Sequence, residues 1–344
     1  MIKLLFNTEN EDISSDEIKE LLGFTDADIS FKNLLSDFIT STKEVTKIIG
    51  KEVYEYVYDK YESGVDEGVF LYDLQDFDSF LVRQTRYPIA IKAYSLFAPT
   101  NDLTHTNDGR TVRSGENTKS PWQWQIDEDN KAQQKRFYKA IDHLIELLDD
   151  SMPEVYEDLS TEEKAETVYH KWINSDSYKR IKSLLLNSVD DFNQAFVIES
   201  SLLLLMLSPG IEECERVEIL SRIGAEKLAS LKEAAPTDDE DIELLRLIKR
   251  ACAYYSLAWA IPRLSVTIFP EGVLQYQISD RQSTVSKKPA IANEHEMARQ
   301  AFAISAQNAL TAIEDLLKPP VVAPDVPTPI DLPRCQTDKG FSIS

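Results

Sequence analysis

The sequence predicts a mainly α protein carrying two β-hairpins, arranged as two related helical-bundle domains that arise from an internal duplication. Three observations lead there. Long stretches place apolar residues at helical spacing, two short stretches alternate around a glycine, and a set of elements recurs in one order. The recurrence is plainest at EVTKIIGKE, which ends Ile49-Gly50-Lys51-Glu52, and at EILSRIGAE, which ends Ile223-Gly224-Ala225-Glu226.

In the first unit, residues 1–150, Ser14 followed by Glu17 is a capping-box pattern, and EIKELLGF reads as a short helix closed by Gly23. Phe31, Leu34, Leu35, Phe38, Val45, Ile48 and Ile49 then mark one long amphipathic helix ending at Gly50. That glycine is expected in the left-handed conformation, with Glu52 in the first turn of the next helix, where the helix dipole favours a carboxylate. VYEYVYDKY continues that helix, and ESGVDEG is an acidic loop. A further helix is predicted from about Leu74 to Phe97, with Pro88 kinking or restarting it. LTHTNDGRTVRSG turns on Asn107-Asp108-Gly109 as a hairpin. After Pro121, Trp122 and Trp124 stand two apart, as on one side of a strand, packed against the closing helix or offered to a partner. The closing helix carries Phe137, Ile141, Leu144, Ile145 and Leu148 on one face.

Residues 151–195 form an acidic, helix-rich connection with Trp172 and SDSYKRIKSLLLNSVDDF. In the second unit, residues 196–318, the order starts over. Ser208-Pro209 reads as an N-cap with proline at the first helical position, and the helix runs to Gly224. KLASLKEA follows, and Thr237 with DDED caps a helix from about Ile242 to Ala260, whose Tyr255-Ser256-Leu257 echoes Tyr94-Ser95-Leu96. LSVTIFPEGVLQYQIS predicts two strands around Pro270-Glu271-Gly272. After Lys288-Pro289 a closing helix carries Phe302, Ala306, Ala309, Leu310 and Ile313, each at the same distance along the chain from its counterpart in the earlier closing helix. The tail, residues 319–344, holds six of the 15 prolines and is extended rather than helical. It is either a disordered terminus or an arm that docks on a neighbouring subunit, adding a strand through GFSIS and its Phe341.

With 42% hydrophobic and 28% charged residues the chain is an ordinary soluble globular protein. Its formal charge of -22 disfavours both sequence-independent nucleic-acid binding and anionic membrane surfaces. MIKLLFNTENED has too short an apolar run for a signal peptide, and LLLLML at 202–207 falls far below a membrane span, so a protein made in the cytoplasm is expected. Cys214, Cys252 and Cys335 contain no CxxC pair, and the first two are expected as buried thiols.

No catalytic, cofactor or metal residue is assigned. His105, His143, His170 and His295 have no His or Cys at metal-ligand spacing, and His143 and His295 are expected on solvated surface. There is no GxSxG, Walker or GxGxxG pattern, and only 10 glycines are present. The carboxylates Asp73, Asp76 and Asp78, and Asp238 to Asp241, precede helices and read as N-terminal caps. The hairpins are slightly positive within an acidic chain: Arg110, Arg113 and Lys119 against Asp108 and Glu116, then Arg281, Lys287 and Lys288 against Glu271 and Asp280. Such a projection suits contact with the acidic body of another copy. The candidate interface is therefore Asn107, Asp108, Gly109, Arg110, Arg113, Trp122, Trp124, Phe269, Pro270, Glu271, Gly272 and Phe341.

The Ile-Gly-x-Glu helix pair, the hairpin turning on glycine, the Lys-Pro entry and the closing helix resemble an uncharacterised family from phages and prophages of Bacteroidetes, often encoded beside virion assembly genes. WINSDSYKRIKSLLLNSVDDFNQAF is similar to that family's middle region. Where the family then carries basic residues, this chain reads Val197-Ile198-Glu199-Ser200-Ser201. At the level of fold, a helical bundle bearing a hairpin resembles the neck adaptors of tailed phages, which form rings beneath the portal. The resemblance implies a structural, non-catalytic head-to-tail connector. It would be a homo-oligomeric ring meeting portal, tail or other neck proteins, passing DNA without binding it and touching no membrane. The alternative is a phage-encoded interaction protein or assembly chaperone absent from the finished virion, and an enzyme is the least favoured reading.

Overall fold

The computed structural model describes residues 3–23, 29–66, 76–101, 103–106, 109–112, 122–265, 268–269 and 292–318. It is mainly α. The first unit consists of α1 (Glu11–Leu22), α2 (Phe31–Ile49), α3 (Lys51–Asp66), α4 (Phe77–Asn101), the strands β1 (Leu103–Thr106) and β2 (Gly109–Val112), and α5 (Gln123–Asp149). The connection is a 3-10 turn at Tyr156–Asp158 with α6 (Thr161–Glu166), α7 (Val168–Ile173), α8 (Asp176–Lys182) and α9 (Val189–Asn193). The second unit holds α10 (Ser201–Cys214), a π turn at Glu215–Ile219, α11 (Leu220–Ile223), α12 (Ala225–Glu233), α13 (Asp239–Ala260) and α14 (Ala292–Leu317).

In the first unit α4 lies against α1, α2, α3 and α5; in the second, α13 lies against α10 and α14 and also touches α9. The apolar faces read from periodicity are the buried ones: Phe137, Ile141, Leu144, Ile145 and Leu148 on α5, and Ala306, Ala309, Leu310 and Ile313 on α14. The buried apolar side chains form one cluster from Leu4 to Ile313, so the units share a core.

The two Ile-Gly corners match in detail. Gly50 has φ 92 and ψ 153, and Gly224 has φ 79 and ψ 163. The expected left-handed helical cap is thus replaced by an extended positive-φ conformation that is essentially restricted to glycine. Each glycine closes one helix and opens the next. The Gly50 N–H donates to the Thr46 carbonyl at 2.9 Å, and the Gly50 carbonyl accepts from the Tyr54 N–H at 3.2 Å. The Gly224 N–H donates to the Leu220 carbonyl at 3.1 Å, and the Gly224 carbonyl accepts from the Leu228 N–H at 3.2 Å. Glu52 and Glu226 lie in the first turns that follow, as expected.

Several local expectations are corrected. α1 begins earlier than the Ser14 capping box, because the Asn10 side chain accepts the N–H groups of Asp12 and Ile13, leaving Ser14 buried inside the helix. α4 continues through both Pro88 and Pro99 as one helix. Pro209 is likewise internal to α10, whose N-cap is Ser200. A proline deprives the carbonyl four residues back of its usual donor. Here the Ser208 hydroxyl replaces it, donating to the Leu205 carbonyl at 2.7 Å, so the Ser-Pro pair that reads as a start sits mid-helix. α13 opens at Asp239 after the N-cap Asp238, rather than near Ile242. The strand expected to begin at Leu264 is not formed at its far end: Ile268 donates to the Ser265 carbonyl at 3.2 Å in a tight turn, and Ile268 and Phe269 are buried. The remainder of that second hairpin, and the proline-rich tail, lie outside the described residues.

Polar links join the two units and the connection between them. Asp142 on α5 accepts the Leu202 N–H at 2.7 Å and the Ser200 hydroxyl at 2.9 Å, so the first closing helix caps the second unit's opening helix. Asp149, near the end of α5, accepts the Trp172 indole N–H at 2.6 Å. Glu215 in the π turn accepts the Leu185 N–H at 2.6 Å and pairs with Lys232 at 2.6 Å. Burial pushes the carboxyl groups of Asp142 and Asp149 above the usual aspartate range, partly offset by these donors.

Candidate assembly surface

The candidate surface is read from two elements of the first unit, the hairpin that follows α4 and the start of α5. β1 and β2 pair antiparallel with Leu103 opposite Val112, Thr104 opposite Thr111, His105 opposite Arg110 and Thr106 opposite Gly109. This register makes Gly109 the first residue of β2, paired with Thr106, rather than a residue of the turn itself as the sequence suggests. Asn107 and Asp108 themselves, and Arg113 beyond β2, lie outside the described residues.

Trp122 and Trp124 are not on a strand. Trp122 is the N-cap of α5 and Trp124 lies in its first turn. The Trp122 N–H donates to the Gln125 side chain at 2.9 Å, and the Trp122 carbonyl accepts the Gln125 N–H at 2.9 Å, so the backbone is fixed while the indole points outward. Trp122 is 73% exposed and Trp124 47%. Two positions apart on a helix diverge around the axis, so the indoles flank the helix end instead of stacking on one face. Leu96, 38% exposed near the end of α4, adds apolar surface to this unit. An exposed indole carries roughly 150–250 Å² of area to bury, which makes such residues effective anchors in an interface.

Of the other candidates, Gly109 and Arg110 are on β2. Phe269 is buried and belongs to the core, so it is withdrawn from the interface. Pro270, Glu271, Gly272 and Phe341 lie outside the described residues.

Of the carboxylates expected to cap helices, Asp238 is the N-cap of α13 but its side chain makes no cap hydrogen bond, and Asp241 pairs with Lys227 at 2.5 Å. Asp76 caps α4, its carboxylate accepting the Ser79 N–H and hydroxyl at 2.8 Å each, which holds its pKa low. Asp78 pairs with Lys60 at 2.6 Å and accepts the Tyr56 hydroxyl, while Asp73 lies outside the described residues. Cys214 and Cys252 are buried free thiols, and the hydrogen bond with the neighbouring Cys214, together with burial, pushes the Cys252 thiol up. His143 is on the surface near Glu146, but His295 departs from expectation, with its Nε2 buried. His170 bonds the Tyr156 hydroxyl at 2.9 Å.

Sequence reading missed the tertiary polar pairs. Arg86 is buried between the Phe6 and Tyr61 rings, at 4.7 and 5.2 Å, and pairs with Glu17 at 3.1 Å. An open cleft of about 440 Å³ at the Gly50 corner is lined by Lys47, Lys51, Lys171, Glu52 and Asp176 among others. A cavity of about 190 Å³ adjoins Asp149 and Trp172 at the joint between the units. Among the described residues, no cluster of His, Cys, Asp or Glu could hold a metal ion, and no helix is long and apolar enough to cross a membrane.

No curated protein and no solved structure matches the chain. A family of unknown function, DUF6712, matches it over residues 45–182 and 215–319, two segments that each take in an Ile-Gly corner and together cover most of its length. The chain belongs to that family.

Proposed function

We propose that this protein is a structural, non-catalytic virion component: a head-to-tail connector or neck subunit of a tailed bacteriophage or prophage, acting as a homo-oligomeric ring. The observation that carries the reading is the exposed tryptophan pair at the start of α5, set on a strongly acidic helical body. Aromatic side chains held outward by a fixed backbone are suited to repeated contacts between copies. A net charge of -22 suits a passage through which DNA slides, since like charges repel and phosphates are not gripped. The sequence resemblance to a phage family supplies the virion context, and the portal, tail and other neck proteins are the natural partners in it.

The architecture within this proposal is an internal duplication. Supporting it are the matched order of elements and the two glycine corners with the same backbone conformation and the same pair of hydrogen bonds. A duplicated unit gives each subunit two similar faces to present around a ring.

Light scattering and negative-stain imaging of the purified protein, together with mass spectrometry of intact particles, test the function. A ring-sized species that is present in particles supports the connector. A strictly monomeric protein missing from particles sinks it, and an oligomer or complex missing from particles instead favours the assembly chaperone.

A further inference from the structure

A groove of about 400 Å³ runs along the second unit between the π turn, the C-terminal part of α13 and the middle of α14. Tyr255, Trp259, Ala303 and Leu310 give it apolar walls, and Arg263 adds a cationic group, whereas Arg299 is paired by two hydrogen bonds with Glu296 at 2.5 and 2.7 Å. Trp259 is held firmly: its ring lies so near Gly210 that a Cβ there would come within 3.1 Å, and the Arg263 guanidinium lies 4.7 Å over the ring. The groove's own carboxylates are engaged, Glu213 by the Tyr255 hydroxyl and Glu218 by Arg222. An aromatic wall with a neighbouring guanidinium is the chemistry that receives a polyproline II segment.

Such a segment follows directly on α14, which forms one wall. α14 ends at Leu317, and the sequence then carries Pro319, Pro320, Pro324, Pro327, Pro329 and Pro333, with Pro324-Asp325-Val326-Pro327 as a Pro-x-x-Pro core. Along the helix, Ala303 lies about 22 Å back from Lys318 at roughly 1.5 Å per residue. A polyproline II strand covers that distance in about seven residues at roughly 3.1 Å each. With Pro319 and Pro320 spent on the reversal, Val326 and Pro327 arrive opposite Ala303.

We propose that the proline-rich segment of this same chain docks in this groove, antiparallel to α14, with Pro324 and Pro327 on the Tyr255–Trp259 wall and Asp325 toward Arg263. This inference does not rest on the ring reading, since the occupant is the chain's own tail.

The test uses the full chain with Cys335→Ser and an engineered pair, Ala303→Cys with Val326→Cys, oxidised by glutathione disulfide. The control pairs Val326→Cys with Ile304→Cys, because Ile304 is 62% exposed on α14 and does not line the groove. The expected result is a disulfide within one chain for the Ala303 pair, detected as a cross-linked peptide in monomeric protein, with the control left reduced. Adding Pro324→Ala and Pro327→Ala should abolish the preference. A disulfide joining two chains overturns docking in the same chain in favour of an exchanged arm, and equal or absent oxidation of both pairs overturns docking altogether. Because the readout is which sulfurs join, it is distinguishable from any failure of ring assembly.

Discussion

At Gly50 and Gly224 the conformation and the surroundings separate cleanly. Both backbones occupy a positive-φ region that any side chain strains, at a cost of about 1–3 kcal/mol. Only Gly50 is also crowded, because a Cβ there would meet the Ser175 Cβ at 3.0 Å, whereas nothing lies within 4 Å of one at Gly224. Gly224→Ala should therefore lose about 1–3 kcal/mol of stability in urea unfolding from strain alone. Gly50→Ala should lose more, and equal losses would rule out the Ser175 contact as a contributor. Asp142 poses a different residue-scale problem. Burial raises its pKa above the unfolded value, so the native state retains the proton over the window just above the usual aspartate range, where the unfolded chain has released it. This group's contribution is present at the acid end and is lost as pH rises through the raised pKa. Asp142→Asn, which keeps an acceptor for the Leu202 N–H, should flatten that part of the stability profile. Asp142→Leu should cost about 1–3 kcal/mol at every pH by leaving the Leu202 N–H and Ser200 hydroxyl without their acceptor.

Among the elements, the connection is held to the second unit by the burial of Leu184, Leu185, Leu186 and Phe192 and by polar contacts, of which Glu215 makes two. Its carboxylate is buried, and it binds the Leu185 N–H and Lys232, whose ammonium also donates to the Ser183 carbonyl at 2.9 Å. Glu215→Ala should loosen residues 183–186 at a cost of about 1–3 kcal/mol, seen as faster amide exchange at Leu185. Glu215→Gln, still an acceptor, should lose less; equal exchange in the two variants would show that the carboxylate does not pin this segment. This latch was not legible in the sequence, because neither Glu215 nor Lys232 belongs to a local pattern and only the tertiary packing joins them. What was legible was periodic: the faces of α5 and α14 and the positions of both glycine corners follow from local spacing, whereas Leu35, read into the apolar face of α2, is exposed. Pro209 misled because a neighbouring hydroxyl can supply the donor that proline lacks. Trp122 and Trp124 misled because two aromatics two apart satisfy strand alternation as readily as a helix start. Their use as an outward-facing pair was legible in residue type, whereas the burial of Phe269 was not.

For the molecule as a whole, charge and apolar surface pull in opposite directions on self-association. Each chain carries -22, so copies brought together repel over a Debye length of about 30 Å at 0.01 M salt but only about 10 Å at 0.1 M. Contacts made by Trp122 and Trp124 are apolar and gain nothing from low salt. If the tryptophan end joins the subunits, the large species measured by sedimentation should grow as salt rises over that range. The Trp122→Ala, Trp124→Ala double variant should stay small throughout, with an unchanged unfolding midpoint, because both indoles are exposed in the single chain. A complex that instead dissolved as salt rose would be held by charge pairs, moving the interface from the indoles to basic side chains such as Arg110 on β2. In that case Arg110, rather than the tryptophans, would be the side chain whose removal leaves the protein monomeric.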